Sequence, residues 1–261
     1  MATSYEKMPE QALDDTRFDQ PAPARRDASR AYAICTTPRS GSWLLCRQLV
    51  NAGLGVPSEY FNVTHSMPLC ARWGLDPRDT RAYAVELRRR RTTANGVWGT
   101  KLLWTQYAER RSALKIVVMR ECRHILLYRD DIASQAVSLH LSYLTGMWDF
   151  DGTIFTVPRT DLSFGDEAHL RECEQTIHAQ NRAWHELFAA MHIAPLMVRY
   201  EDLVADQSGT VARIAEWLGL DAGEFHVPTP EPRETSFPPE IEARRRELVV
   251  AWRARGASSP P

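Results

Sequence analysis

The run Thr37-Pro38-Arg39-Ser40-Gly41-Ser42 joins an apolar hexapeptide, Ala31 to Thr36, to the stretch SWLLCRQLVNAG. A strand followed by a glycine-containing loop and a helix puts free backbone N–H groups and the positive end of a helix dipole at the loop, a natural seat for an anion. Gly41 lets backbone approach an oxyanion closely, Ser40 and Ser42 add hydroxyls, and Arg39 adds a planar cation matched to phosphate or sulfate oxygens. A nucleoside-triphosphate loop needs G-x-x-x-x-G-K-[ST]. With Gly41 as its second glycine, Ser42 falls at the lysine and Trp43 at the Mg²⁺ ligand, and the first glycine is missing. The loop therefore reads as an anion site without a metal, which argues against an ATPase or kinase. An ordinary strand–turn–helix, with Ser and Gly as turn residues, remains the alternative at this point.

Three more positions carry chemistry. Arg129 ends a predicted strand and Ser138 follows nine positions later in YRDDIASQAVSLH, an arginine–serine pair suited to a second phosphate. Glu59 lies in LGVPSEYFN, an acid beside Tyr60 and Phe61 in an irregular segment. Lys101 is conspicuous because only Lys7, Lys101 and Lys115 are lysines among many arginines. Trp98, Trp104, Tyr107 and Trp148 could stack on an acceptor or pack in the core. His178, His185 and His192 recur every seven residues, a rise of roughly 10.5 Å, so they cannot share one metal ion.

The elements that must hold these residues alternate. Strands are expected at 31–36, 97–103 and 124–129, with PLMVRYEDL a strand running into a turn. Helices are expected from Ser42 to Gly53, over 78–91, from Ile132 through Trp148, over 166–191, from Val211 to Gly219 and over 238–254. The stretch ALKIVVMRECRHILLYR fits either a helix and a strand or two strands. Such alternation predicts an α/β domain with a mainly parallel sheet and helices on both faces. Residues 1–29 are rich in charge, Pro and Ala and read as a flexible arm, 30–255 as one domain, and 256–261 as a loose tail.

Composition narrows the classes. The chain has 261 residues, 44% of them hydrophobic, and a formal net charge of -1. That balance gives no reason to expect nucleic acid or an anionic membrane. Five cysteines without a CxxC pair read as thiols in a reducing compartment. No segment approaches the roughly 18 apolar residues of a membrane span, and the polar start lacks a signal-peptide core. A cytoplasmic protein is expected.

A phosphosulfate on one side and a lone phosphate on the other is the layout of 3′-phosphoadenosine 5′-phosphosulfate (PAPS). TPRSGSWLL, GVPSEYF, GVWGTKLLWTQ and YRDDIASQAVSLHLSYLTGMW, in that order, resemble the bacterial sulfotransferase family of the mycobacterial trehalose 2-sulfotransferase. The similarity runs from about residue 30 to 240. It implies a P-loop-like sulfotransferase fold, PAPS as donor, no metal, a small hydroxyl acceptor such as a carbohydrate, and a homodimer. Carried onto this chain, it assigns Arg39, Ser40, Gly41 and Ser42 to the 5′-phosphosulfate, and Arg129 and Ser138 to the 3′-phosphate. It makes Glu59 the general base and Lys101 a second cation near the leaving group. Arg233 in EPRET matches a late arginine of the pattern, and Trp43 replaces the more usual Thr. The alternatives are a P-loop nucleotide kinase-like enzyme and a non-catalytic nucleotide-binding protein.

Overall fold

The computed structural model describes residues 18–19, 27–148, 156–231 and 237–256. Four strands, β1 (Arg30–Thr36), β2 (Val97–Leu103), β3 (Arg123–Tyr128) and β4 (Leu196–Arg199), form one sheet in the order β2-β1-β3-β4. Every neighbouring pair is parallel, with Ile34 opposite Lys101 and Cys35 opposite Leu126.

The apolar run of β1 divides by strand periodicity. Ala33 and Cys35 face one layer, in a core with Trp98, Leu102, Leu126, Leu87, Leu114 and Trp184. Tyr32 and Ile34 face the other, with Ile125, Val198, Leu45, Leu49 and Ile214. Burial on both faces explains why the strand is continuously hydrophobic. The first face is covered by α3 (Thr80–Arg91), α5 (Arg111–Val117) and α7 (Glu167–Ala190), the second by α1 (Ser42–Asn51) and α9 (Gln207–Leu218). The predicted α/β class holds, as three layers.

Several boundaries differ from the sequence reading. α2 (Val63–Trp73) occupies a stretch for which no element was expected; Asn62 caps it by accepting from the Thr64 N–H, and Pro68 lies inside it. α4 (Trp104–Glu109) follows β2 directly, and the ambiguous stretch is helix α5 followed by β3. α6 (Ile132–Thr145) stops short of Trp148 because Gly146, at φ 72°, takes the left-handed cap. The turn expected after β4 is a short helix, α8 (Tyr200–Ala205). α10 (Pro239–Gly256) packs Val249 and Trp252 on Val137 and Leu141 of α6. Two residues of the stretch read as a flexible arm are docked: Phe18 packs on Val50 and Val56, and Asp19 pairs with the buried Arg91 at 2.8 Å.

In the order β2-β1-β3-β4 the chain leaves β1 toward β2 on one side and leaves the neighbouring β3 toward β4 on the other, so the connections from these adjacent C-terminal ends diverge. That creates the crevice at which open parallel sheets bind ligands. Residues 37–41, the end of β2 and the end of β3 all open onto it.

Candidate active site

The loop after β1 is held from three sides. Thr36 Oγ1 donates to the Leu127 carbonyl at 2.8 Å, so the 2.6 Å contact with Ser40 Oγ uses the proton of Ser40. Gln135 of α6 donates to Thr37 Oγ1 at 2.9 Å and to the Pro38 carbonyl at 2.7 Å. Arg39 and Gly41 both take positive φ, 63° and 85°. A Cβ on Gly41 would lie 2.2 Å from the Tyr200 ring, so only glycine lets the loop pass that side chain. Gly41 caps α1 without a side-chain hydrogen bond, and the first turn holds no acid. Among the described residues the amides of Ser40, Gly41, Ser42, Trp43 and Leu44 have no hydrogen-bond partner. Five successive open donors at a helix start form a nest for an oxyanion.

Beside it lies a buried ion pair. Lys101, 1% exposed, places Nζ 2.7 Å from Glu59 Oε1 and 4.1 Å from the centroid of the Trp43 ring, on the first turn of α1. The segment carrying Glu59 is fixed along β2, where the Lys101 N–H donates to the Ser58 carbonyl at 2.8 Å. Glu59 Oε2 accepts from Gln106 Nε2 at 2.5 Å and from Asn62 Nδ2 at 3.4 Å. Burial pushes the Glu59 carboxyl up. The charge and hydrogen bond of Lys101, the charge of His65 and the bond from Gln106 outweigh it and bring the carboxyl below its ordinary value. The acid is therefore ionised at neutral pH.

A second basic cluster sits at the end of β3. The Arg129 guanidinium donates to Ser134 Oγ at 2.8 Å and lies 4.7 Å from the centroid of the Tyr200 ring, the same ring that packs on Gly41. Arg245 of α10 reaches the same hydroxyl at 3.2 Å and is clasped by Glu242 at 2.8 and 2.7 Å. Arg39 points to α6 instead: Nε donates to Ser138 Oγ at 3.0 Å and Nη1 to the Trp148 carbonyl at 2.5 Å.

The profile of the Stf0 sulphotransferase family matches residues 31–236. The chain belongs to that family. Two relatives are trehalose 2-sulfotransferases. The one from Mycobacterium tuberculosis (strain ATCC 35801 / TMC 107 / Erdman) is 28% identical over 232 residues, 74% of this chain and 86% of the relative. The one from Mycolicibacterium smegmatis (strain ATCC 700084 / mc(2)155) is 28% identical over 236 residues, 75% and 86% of the two chains. Among solved structures, a sulfotransferase from Alicyclobacillus acidocaldarius aligns over 87% of this chain and 94% of its own, with a TM-score of 0.48 and 15% identity. The sulfotransferase domain of the Synechococcus PCC 7002 olefin synthase aligns over 94% and 99%, at 0.40 and 16%.

In this Stf0 sulphotransferase the fold sets Glu59 and Lys101 against Trp43, which directly follows Arg39, Ser40, Gly41 and Ser42 in the chain, while the Arg39 side chain turns to α6. Ser138 stands beside Arg39, while Arg129 meets Ser134, one helical turn earlier on α6, and pairs with Asp131 at 3.5 Å. Arg233 lies outside the described residues. Sequence reasoning missed Gln106, Ser134, Tyr200 and Arg245. Gln106 and Ser134 stand inside quoted motifs and had a local signal; Arg245 and Tyr200 reach the site only through packing. Of the aromatic candidates, Trp98 is fully buried, and Trp104 and Tyr107 pack with Trp184. Trp148 is half-buried beyond the end of α6 and contributes its carbonyl to Arg39.

Proposed function

We propose that the protein transfers a sulfuryl group from PAPS to a hydroxyl of a small carbohydrate, trehalose being the first candidate on the strength of its relatives' names. The observation that carries this reading is the Trp43 contact. It sets an ionised carboxylate and its lysine against the side chain of Trp43, whose own amide is one of five open donors at the start of α1. The amides of Ser40 to Leu44 would receive the 5′-phosphosulfate, with Arg39 and the Ser42 hydroxyl at its edge. Ser40 would act through its backbone N–H, since its hydroxyl proton is engaged within the loop. Arg129 would take the 3′-phosphate, with Ser138, as the resemblance has it, and with Ser134 and Arg245, as proximity suggests. Arg233 stays a candidate from the resemblance alone.

In the reaction the acceptor oxygen bonds to sulfur as the bond from sulfur to the bridging oxygen breaks. The electron pair of that bond leaves on the 5′-phosphate of 3′,5′-adenosine bisphosphate. Glu59 receives the acceptor proton, a contribution of roughly 10²–10⁴-fold. Lys101 and the amide nest meet the charge developing on the leaving oxygen. A cytoplasmic setting and a homodimer are proposals of the same kind, the first resting on composition and the second on the resemblance.

The test is a transfer assay with PAPS and a panel of sugars, beside thermal-shift titrations with 3′,5′-adenosine bisphosphate and with ATP, each with and without Mg²⁺. A metal-independent shift with the bisphosphate and sulfated product from a sugar support the reading. A shift only with Mg²⁺-ATP sinks it in favour of a kinase. Bisphosphate binding without transfer to any hydroxyl favours a binding protein.

A further inference from the structure

Lys101 stands between a carboxylate and an aromatic face. Its ammonium now lies on Glu59 Oε1 at 2.7 Å, and a carboxylate so held is a weak base toward an acceptor hydroxyl. The same ammonium sits 4.1 Å from the centroid of the ring of Trp43, a residue whose backbone N–H is one of the five amides without a partner. An indole face attracts a cation without fixing the direction of its N–H bonds. It can therefore keep the ammonium in place while those bonds turn from one acceptor to another. Trp43 occupies the position that takes a Mg²⁺-ligating hydroxyl in a triphosphate loop and more usually Thr in the resembled family.

We propose that Lys101 is handed over: Trp43 holds its ammonium within reach of both Glu59 and the amide nest, and a phosphate seated on the nest draws it off Glu59, leaving the carboxylate to the neutral amides of Gln106 and Asn62. This rests on the donor reading given above and adds an order to it, donor before acceptor. Gln106 suits the role because its Oε1 accepts from the Leu103 N–H at 3.2 Å, which turns its Nε2 toward Glu59. Among the described residues, three titratable or charged groups face Glu59. Lys101 comes from β2, and His65 comes from α2, with Nδ1 3.2 Å from the Glu59 carbonyl. Cys46 comes from α1, its thiol pushed up to about 12 by burial and so uncharged. Once Lys101 turns away, His65 is the one remaining cationic influence among them, and the proton affinity of Glu59 rises.

The sign follows. Glu59 binds more protons in the complex than in the free protein, so ligand binding takes up a proton at Glu59 in mildly acidic solution, and that component of affinity grows as pH falls. The experiment is calorimetric titration of the full chain with 3′,5′-adenosine bisphosphate at about pH 5, in buffers of different ionisation enthalpy. Wild type is compared with Glu59→Gln, so that protons exchanged by the phosphates and by distant groups cancel. Greater proton uptake by wild type supports the hand-over. Binding with equal uptake by both proteins overturns it and leaves the donor reading standing, whereas absence of binding overturns both.

Trp43 is a positioning residue, and its variants separate this role from plain packing. Trp43→Phe keeps an aromatic face and should retain both the excess uptake and kcat/KM within about threefold. Trp43→Leu should lower kcat/KM about tenfold and shrink the excess uptake. Unchanged uptake and kcat/KM in a folded Trp43→Leu protein would count against Trp43 as the holder.

Discussion

Glu59 keeps its charge inside the protein because its neighbours outweigh its burial. Its lowered carboxyl contributes stability that is fully present above the ordinary carboxylate range of about 4.3 and is lost as pH falls through the folded value. Glu59→Gln removes the proposed proton acceptor and keeps the shape. It should cut kcat by about 10²–10⁴-fold while 3′,5′-adenosine bisphosphate binds at neutral pH at least as tightly as to wild type, measured by single-turnover transfer and calorimetry. His124 shows the opposite electrostatics at the start of β3. Burial opposes its cationic form more than the bond to the Val118 backbone favours it, and its pKa falls to about 4. The unfolded chain protonates it first, so stability is lost as pH drops from about 6.5 toward 4. A change on the order of 2 kcal/mol between pH 7 and 4.5 should disappear in His124→Gln, read from urea unfolding at both pH values.

At the scale of elements, the loop between β1 and α1 depends on a partner distant in sequence. Gly41 has a positive φ and touches the Tyr200 ring of α8. Gly41→Ala meets both obstacles. The left-handed conformation costs roughly 1–2 kcal/mol, and the ring must move. A lower melting temperature and weaker bisphosphate binding are expected. Adding Tyr200→Ala removes the clash and leaves the backbone cost, so the double variant should lose less stability than the two single losses combined. The strands and helices around this loop were legible because their periodicity is strong. α2 and α4 were not: α2 carries Pro68 and exposed Val63 and Met67, and α4 is six residues long. Tertiary contacts, including Leu69 and Tyr107 in the core, hold both.

At the scale of the molecule, the last helix closes the basic cluster at the end of β3. Arg245 of α10 reaches Ser134 and is fixed by Glu242. Arg245→Ala removes a charge-assisted contact from the proposed 3′-phosphate site and leaves Glu242, 6% exposed, without its closest cation. Bisphosphate affinity should fall about tenfold or more, and the melting temperature should drop as well. Arg253 also joins α10 to the start of α6, pairing with Asp131 at 2.6 Å, but it is 54% exposed. Such pairs contribute roughly 0–1 kcal/mol, so Arg253→Ala should scarcely alter melting or binding. The contrast would separate a proposed phosphate-binding arginine from one that pairs at the surface.

Sequence by itself determined the α/β alternation and the family, and it singled out the loop after β1, Glu59 and Lys101 as candidates. Those features are local: a strand-length apolar run, a glycine before a helix, and motifs in order along the chain. Only the tertiary structure decided what each residue touches. Ser134 rather than Ser138 meets Arg129, because α6 begins so close to the end of β3 that its first turn lies under that guanidinium. Lys101 meets both Glu59 and Trp43, because β2 pairs with β1 and the loop carrying Glu59 runs along its other edge. Side chains from β2, α1 and the 54–62 segment share one buried charge, and no spacing within a single segment encodes that.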